Sequence, residues 1–201
     1  MSFAAAAERE HRNGRKGKIA MISLGLLETN SIARGILAGD AMLKAAEVTL
    51  LRAGAICPGK YAVVIYGDVA AVAAAMDAGK YHAGEYLVDD LTIASLDPQV
   101  VDAITGGCEP CSLNAMGVME FYTIAAAVVA ADLAAKAADV RLMEVRLGLG
   151  IGGKSYVTLS GEVAAVQSAL DAGTAPAKEA GLLVSTCIIP SPRREIFEAM
   201  L

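Results

Sequence analysis

The chain repeats itself, and that constrains its fold more than any single motif. Glu28, Asp40, Lys44 and Val48 recur as Glu120, Asp132, Lys136 and Val140, each 92 residues further on. Gly59-Lys60 recurs as Gly153-Lys154, and Gly67-Asp68-Val69-Ala70-Ala71-Val72 as Gly161-Glu162-Val163-Ala164-Ala165-Val166, both at a spacing of 94. Ser95 and Ala103 recur as Ser191 and Ala199 at 96. Two homologous units of about ninety residues therefore follow one another, and whatever topology the first adopts the second must adopt too. The units are residues 18–104 and 116–201, joined by residues 105–115. Residues 1–17, which carry charges of both signs, read as a solvated, mobile extension.

Each unit presents the same succession of patterns. An apolar run at residues 18–26 suits a strand, and residues 31–46 place Ile32, Ile36 and Leu43 at helical spacing behind a capping Asn30 or Ser31. Residues 48–52 and 60–66 form a hairpin-like pair, Asp68 caps a second helix that Gly79 is placed to end near residue 78, and residues 86–94 return as a strand. The order β-α-β-β-α-β is the ferredoxin-like α+β fold, present twice. Ile124, Val128 and Ala135 stand where Ile32, Ile36 and Leu43 stand, so the same helix face is expected to be buried in both units. The alanine-rich stretches 70–75 and 125–135 suit close helix contacts and subunit interfaces.

Composition narrows the function. At 201 residues and 55% hydrophobic, with a mean hydropathy of +0.50, the chain is too apolar for disorder and is expected to hide more surface than one copy can. A net charge of −5, no Trp and 4% aromatics argue against a nucleic-acid partner. The amino-terminal order, small apolar residues before basic ones, is the reverse of a secretory signal, and no apolar run reaches membrane-spanning length. A cytoplasmic protein without a membrane partner is expected.

Two strings in the second unit imitate nucleotide motifs. Residues 148–155 satisfy both GxxxxGK[ST] and GxGxxG, but each mechanism needs a helix right after the glycines, and Tyr156-Val157-Thr158-Leu159 reads as a strand. The glycines belong to a hairpin loop whose first-unit partner contains Ile56-Cys57-Pro58-Gly59. Read from spacing alone, Cys57 is a small buried apolar residue, because one cysteine does not make a metal site. Symmetry changes the count: in a cyclic trimer with this loop on the axis, three Cys57 thiolates converge. Pro58 would limit the loop's freedom and Gly59 would permit close backbone approach. Three soft sulfurs suit iron–sulfur, zinc or copper(I).

The residues Gly25-Leu26-Leu27-Glu28-Thr29, Asp40-Ala41-Met42-Leu43-Lys44-Ala45-Ala46, the Gly-Asp-Val helix start and Ile188-Ile189-Pro190 carry a resemblance. Across both halves the chain resembles the tandem-domain, trimeric shell proteins of bacterial microcompartments. Within that family it is most similar to the propanediol-utilisation type, on the Ile56 to Lys60 loop and on Gly150-Ile151-Gly152-Gly153-Lys154. The resemblance implies a homotrimer forming a flat pseudohexameric tile, with Lys44 and Lys136 at tile edges facing other shell proteins. It implies one 4Fe-4S cluster per trimer in the central pore, held by three Cys57 ligands, with one iron lacking a protein ligand. The implied role is electron transfer across the shell, or support of encapsulated redox enzymes, rather than catalysis. Where the family commonly has Ile-Pro-Arg-Pro this chain has Pro190-Ser191-Pro192-Arg193, so edge contacts are expected to differ.

The remaining thiols and histidines read more plainly. Cys108-Glu109-Pro110-Cys111 is a lone CxxC in the linker, either incidental thiols or a second metal or redox pair. Cys187, in an apolar run, reads as core. His11 and His82 have no nucleophile partner, which leaves a Cys/His enzyme unsupported. Two alternatives stand beside the cluster-bearing tile: a cluster-free tile whose pore passes small metabolites, and a ferredoxin-like regulatory module that binds an effector between its repeats.

Overall fold

Ser23 to Thr29 form β1, the central apolar strand of the first unit, and every one of its residues is buried. The computed structural model of the chain describes residues 22–106, 108–110 and 114–198; the extension 1–17 and Cys111 lie outside them. After β1 come α1 (Ile32–Ala45), β2 (Thr49–Ile56), β3 (Lys60–Gly67), α2 (Val69–Ala83) and β4 (Leu87–Ile93). The four strands form an antiparallel sheet in the order β2-β3-β1-β4. A short helix α3 (Pro98–Thr105) then leads to the second unit: β5 (Ala115–Phe121), α4 (Ile124–Ala137), β6 (Val140–Leu147), β7 (Ser155–Gly161), α5 (Val163–Glu179) and β8 (Leu183–Pro190), with a terminal α6 (Arg194–Glu198). Its sheet order, β6-β7-β5-β8, repeats the first. The expected doubled βαββαβ fold is what the chain adopts.

Local chemistry sets the helix starts. The Ser31 hydroxyl accepts from the Arg34 amide, Asp68 from Ala70 at 2.9 Å, Asp97 from Gln99 at 3.0 Å and Thr123 from Ala126 at 3.2 Å. One expected stop is wrong: α2 runs through Gly79 to Ala83 and ends at Gly84, whose φ is +57°. Gly79 is buried inside the helix because two helices cross there. A Cβ on it would lie 2.6 Å from Met42 Cγ, and one on its counterpart Gly173 would lie 2.7 Å from the Ala130 carbonyl oxygen. Gly173→Val is therefore expected to lower unfolding free energy by about 3 kcal/mol or more, measured by denaturant titration, since a backbone atom blocks the new side chain.

A second expectation fails in the first unit only. Ile124 and Val128 are buried, at 1% and 0% exposure, but their counterparts Ile32 and Ile36 are 45% and 54% exposed. The α1 face that packs on its own sheet is instead Gly35, Ala38, Gly39 and Met42. Small residues let the helix lie close to its sheet and turn the larger aliphatic ones outward. In the second unit that outward face is covered by the first unit. Helix α3 lies on β6 and α4, and Val100, Ala103 and Ile104 join Val128, Ala131 and Leu142 in one core.

Candidate functional site

Two features could carry function: the pair of hairpin loops and the seam between units. The first loop joins β2 to β3 through Cys57, Pro58 and Gly59, with a cis Cys57-Pro58 peptide. The second joins β6 to β7 through residues 148–154 and is followed by a strand, so the glycine string makes no phosphate-binding helix start. The structure brings the loops side by side. The Cys57 amide donates to the Gly148 carbonyl at 3.1 Å, and Ile56 is buried against Gly148. Gly153, at φ +81°, passes so close to Cys57 that a Cβ would sit 2.7 Å from the Cys57 carbonyl oxygen. Pro58, Gly59, Gly150 and Gly152 are exposed, and Cys57 and Ile151 half-buried.

Each loop is pinned by an ion pair that the sequence reading missed. Lys60 pairs with the buried Glu28, and Lys154 pairs with Glu120. The signal was present, because both members of the pair recur in both units. These pairs neutralise the cation next to each loop, so the loops carry little net positive charge beside Cys57. Among the described residues no group of three His, Cys, Asp or Glu converges within one chain, so a metal site at Cys57 would need thiols from further copies.

The other thiols are placed differently from one another. Cys108 is half-buried, its amide donates to the Met143 carbonyl at 2.8 Å, and burial raises its thiol pKa against the opposing pull of Arg141. Cys111 lies outside the described residues. Cys187 is exposed on the edge strand β8, which corrects the reading of it as core: every side chain of that strand is exposed or only half-buried in a single chain. Its first-unit counterpart, Leu91, packs against the shared core.

The seam also sets the lysines. Lys136 pairs with Asp132 at 2.6 Å and reaches across the units to the Ser95 carbonyl. Asp132 accepts from the Asp97 amide at 2.8 Å, and the Gln99 side chain accepts from the Leu142 amide at 3.1 Å. In the first unit the counterparts Asp40 and Lys44 pair with each other at 2.6 Å on the open surface, beside a groove lined by Ile36, Leu43 and Leu50. Among the described residues no helix is long and apolar enough to cross a membrane.

The chain is a doubled ferredoxin-like sheet with an exposed apolar groove on its first unit and two hairpin loops that lie side by side. The family model that matches is the BMC domain, twice, over residues 23–96 and 115–192. The chain belongs to that family of bacterial microcompartment shell proteins; it is a structural shell protein and not an enzyme. It is 41% identical to the bacterial microcompartment shell protein PduT of Citrobacter freundii, covering 89% of this chain and 97% of that one. It is 38% identical over 86 residues to the shell protein EutM of Salmonella typhimurium, covering 43% of this chain and 88% of that one. The crystal structure of a microcompartment protein from Desulfitobacterium hafniense superposes with a TM-score of 0.86 at 51% identity, covering 89% of this chain and 99% of that one.

Proposed function

We propose that three copies of this chain close into a pseudohexameric tile of the microcompartment shell, within the cytoplasm, and that their Cys57 thiolates hold one 4Fe-4S cluster at the central pore. The observation that carries the tile is the half-used seam. The first unit covers α4 and β6 of the second, and the same surface on α1 and β2 is left open. The carboxyl-terminal segment holds what would cover it. Ser191, Arg193, Glu195 and Ile196 stand where Ser95, Asp97, Gln99 and Val100 stand, and Ile196 is 49% exposed where Val100 is 0%. An exposed apolar groove on the first unit and an exposed Ile196 on the terminal helix, with the geometry of closure already used once at Val100, support a ring of copies. Glu195 would then accept from the neighbour's Leu50 amide as Gln99 does from Leu142.

The donor set at the loops suits a cluster. Cys57 is a soft ligand at a hairpin tip, its amide held by the Gly148 carbonyl of the facing glycine-rich loop. A bound cluster would supply one-electron transfer across the shell, to or from encapsulated redox enzymes. The protein's part is to bring three thiols to one point and to shield them. Lys44 and Lys136, near the last turns of α1 and α4, are assigned to tile edges facing other shell proteins.

Anaerobic purification with iron and sulfide analysis tests the cluster. Wild-type protein is expected to hold about four irons and four sulfides per trimer, and Cys57→Ser to hold essentially none while remaining trimeric. Iron-free wild type that stays so after reconstitution overturns the cluster and leaves a tile whose pore passes small metabolites.

A further inference from the structure

A cavity of about 220 Å³ lies at the seam inside one chain, between β4 of the first unit and the α4/α5 helix pair of the second. Ala126, Val129, Ala177 and Leu182 make its apolar wall, and Asp89 is the one charged residue among the described ones that line it. The corresponding space in the first unit is occupied by the protein itself. Tyr86 and Leu182 hold matching places, since their carbonyls accept from the amides of Asn30 and Tyr122 at 3.0 and 2.9 Å. Arg34, the counterpart of Ala126, lays its guanidinium 5.6 Å from the centre of the Tyr86 ring. The second unit therefore lacks a basic side chain where the first has one. It also faces that gap with a carboxylate: the Asp89 side chain makes no hydrogen bond or ion pair among the described residues, whereas that of the adjacent Asp90 is engaged by Lys80 at 3.5 Å.

We propose that this cavity binds a small organic cation, an alkylguanidinium or alkylammonium. Its tail lies on Ala126, Val129 and Leu182 and its charge sits at Asp89. An apolar wall with a single fixed charge selects for a molecule that has both parts, because either part alone forfeits the other's contact. Its counterpart in the first unit, a guanidinium on an aliphatic stem, shows the shape this part of the fold accommodates.

Titration of the full-length protein with n-propylguanidinium, followed by calorimetry and saturation-transfer NMR, is expected to show saturable binding at one site per chain. Asp89→Asn is expected to weaken it by about tenfold or more, by loss of a charge-assisted contact. Ala126→Arg, which installs the first unit's own side chain, is expected to abolish it, and Glu85→Gln, outside the cavity, to leave it unchanged. n-Butanol and guanidinium, each carrying half of the probe, are expected to bind at least about tenfold more weakly. Absence of saturable binding, an Asp89→Asn titration matching wild type, or equal weakening by Glu85→Gln overturns the proposal. Should Ala126→Arg fail to fold, the Asp89 variant and the half-probes still decide. All the residues that line the cavity come from a single chain.

Discussion

Ile36→Asp is expected to turn the tile into single chains of 20.6 kDa without unfolding them. The same change at the pseudo-equivalent position, Val128→Asp, is expected to unfold the chain. Ile36 is 54% exposed in one chain, so a carboxylate there keeps its water and shifts the monomer's own stability by about 0.5 kcal/mol at most. Val128 is fully buried beneath the first unit, and an unpaired charge placed there costs about 3–5 kcal/mol, a large share of a small domain's stability. Light scattering reads the first effect and thermal unfolding the second. Cys187 supplies an internal reporter. On the proposed ring its strand lies under the neighbour's α1, as Leu91 lies under α4. Its reaction with a maleimide is thus expected to be at least about tenfold faster in Ile36→Asp than in wild type. An Ile36→Asp protein that stays trimeric, or equal Cys187 rates, would count against the ring.

On the proposed cluster-bearing trimer, Gly153→Ala is expected to strip the cluster and leave the trimer intact, and Gly150→Ala to leave the cluster in place. Both glycines have left-handed backbones, φ +81° and +76°, so each alanine costs about 1–2 kcal/mol of local strain. What separates them is the neighbour. At Gly150 a Cβ meets nothing within 4 Å, while at Gly153 it would lie 2.7 Å from the carbonyl oxygen of Cys57 itself. The Gly153 variant must push the Cys57 loop away from its partner loop, and the three thiols of the proposed site would no longer share one point. Iron per trimer and the visible spectrum of both variants, beside their elution volumes, check this. Equal iron in the two would mean that loop packing does not position Cys57.

Much of this architecture was readable before any coordinates. The constant spacings from Glu28 to Glu120 and from Gly67 to Gly161 announced two copies of one fold, and the caps at Ser31 and Asp68 located helix starts, because a cap is a local interaction. The strand after Lys154 was enough to dismiss a phosphate loop. The side on which each helix is covered was not readable. Ile32, Ile36 and Leu43 form as good an apolar face as Ile124, Val128 and Ala135, yet in one chain the first set is exposed, while Ile124 and Val128 are buried and Ala135 half-buried. Burial there depends on which unit lies alongside, a relation between residues far apart in sequence that helical periodicity does not encode.

The same division runs through the site. Sequence alone determined that the chain is doubled, that each half is βαββαβ, and that Cys57 occurs in one loop and not in its twin. Only the tertiary structure decided that the two loops touch, that Glu28 and Glu120 pin them, that Gly79 is a crossing point and not a helix end, and that Cys187 lies on an open edge. Those outcomes rest on packing distances between separate elements. A linear pattern records what each segment prefers, and the assembled layers determine which preferences are satisfied inside one chain and which are left facing outward.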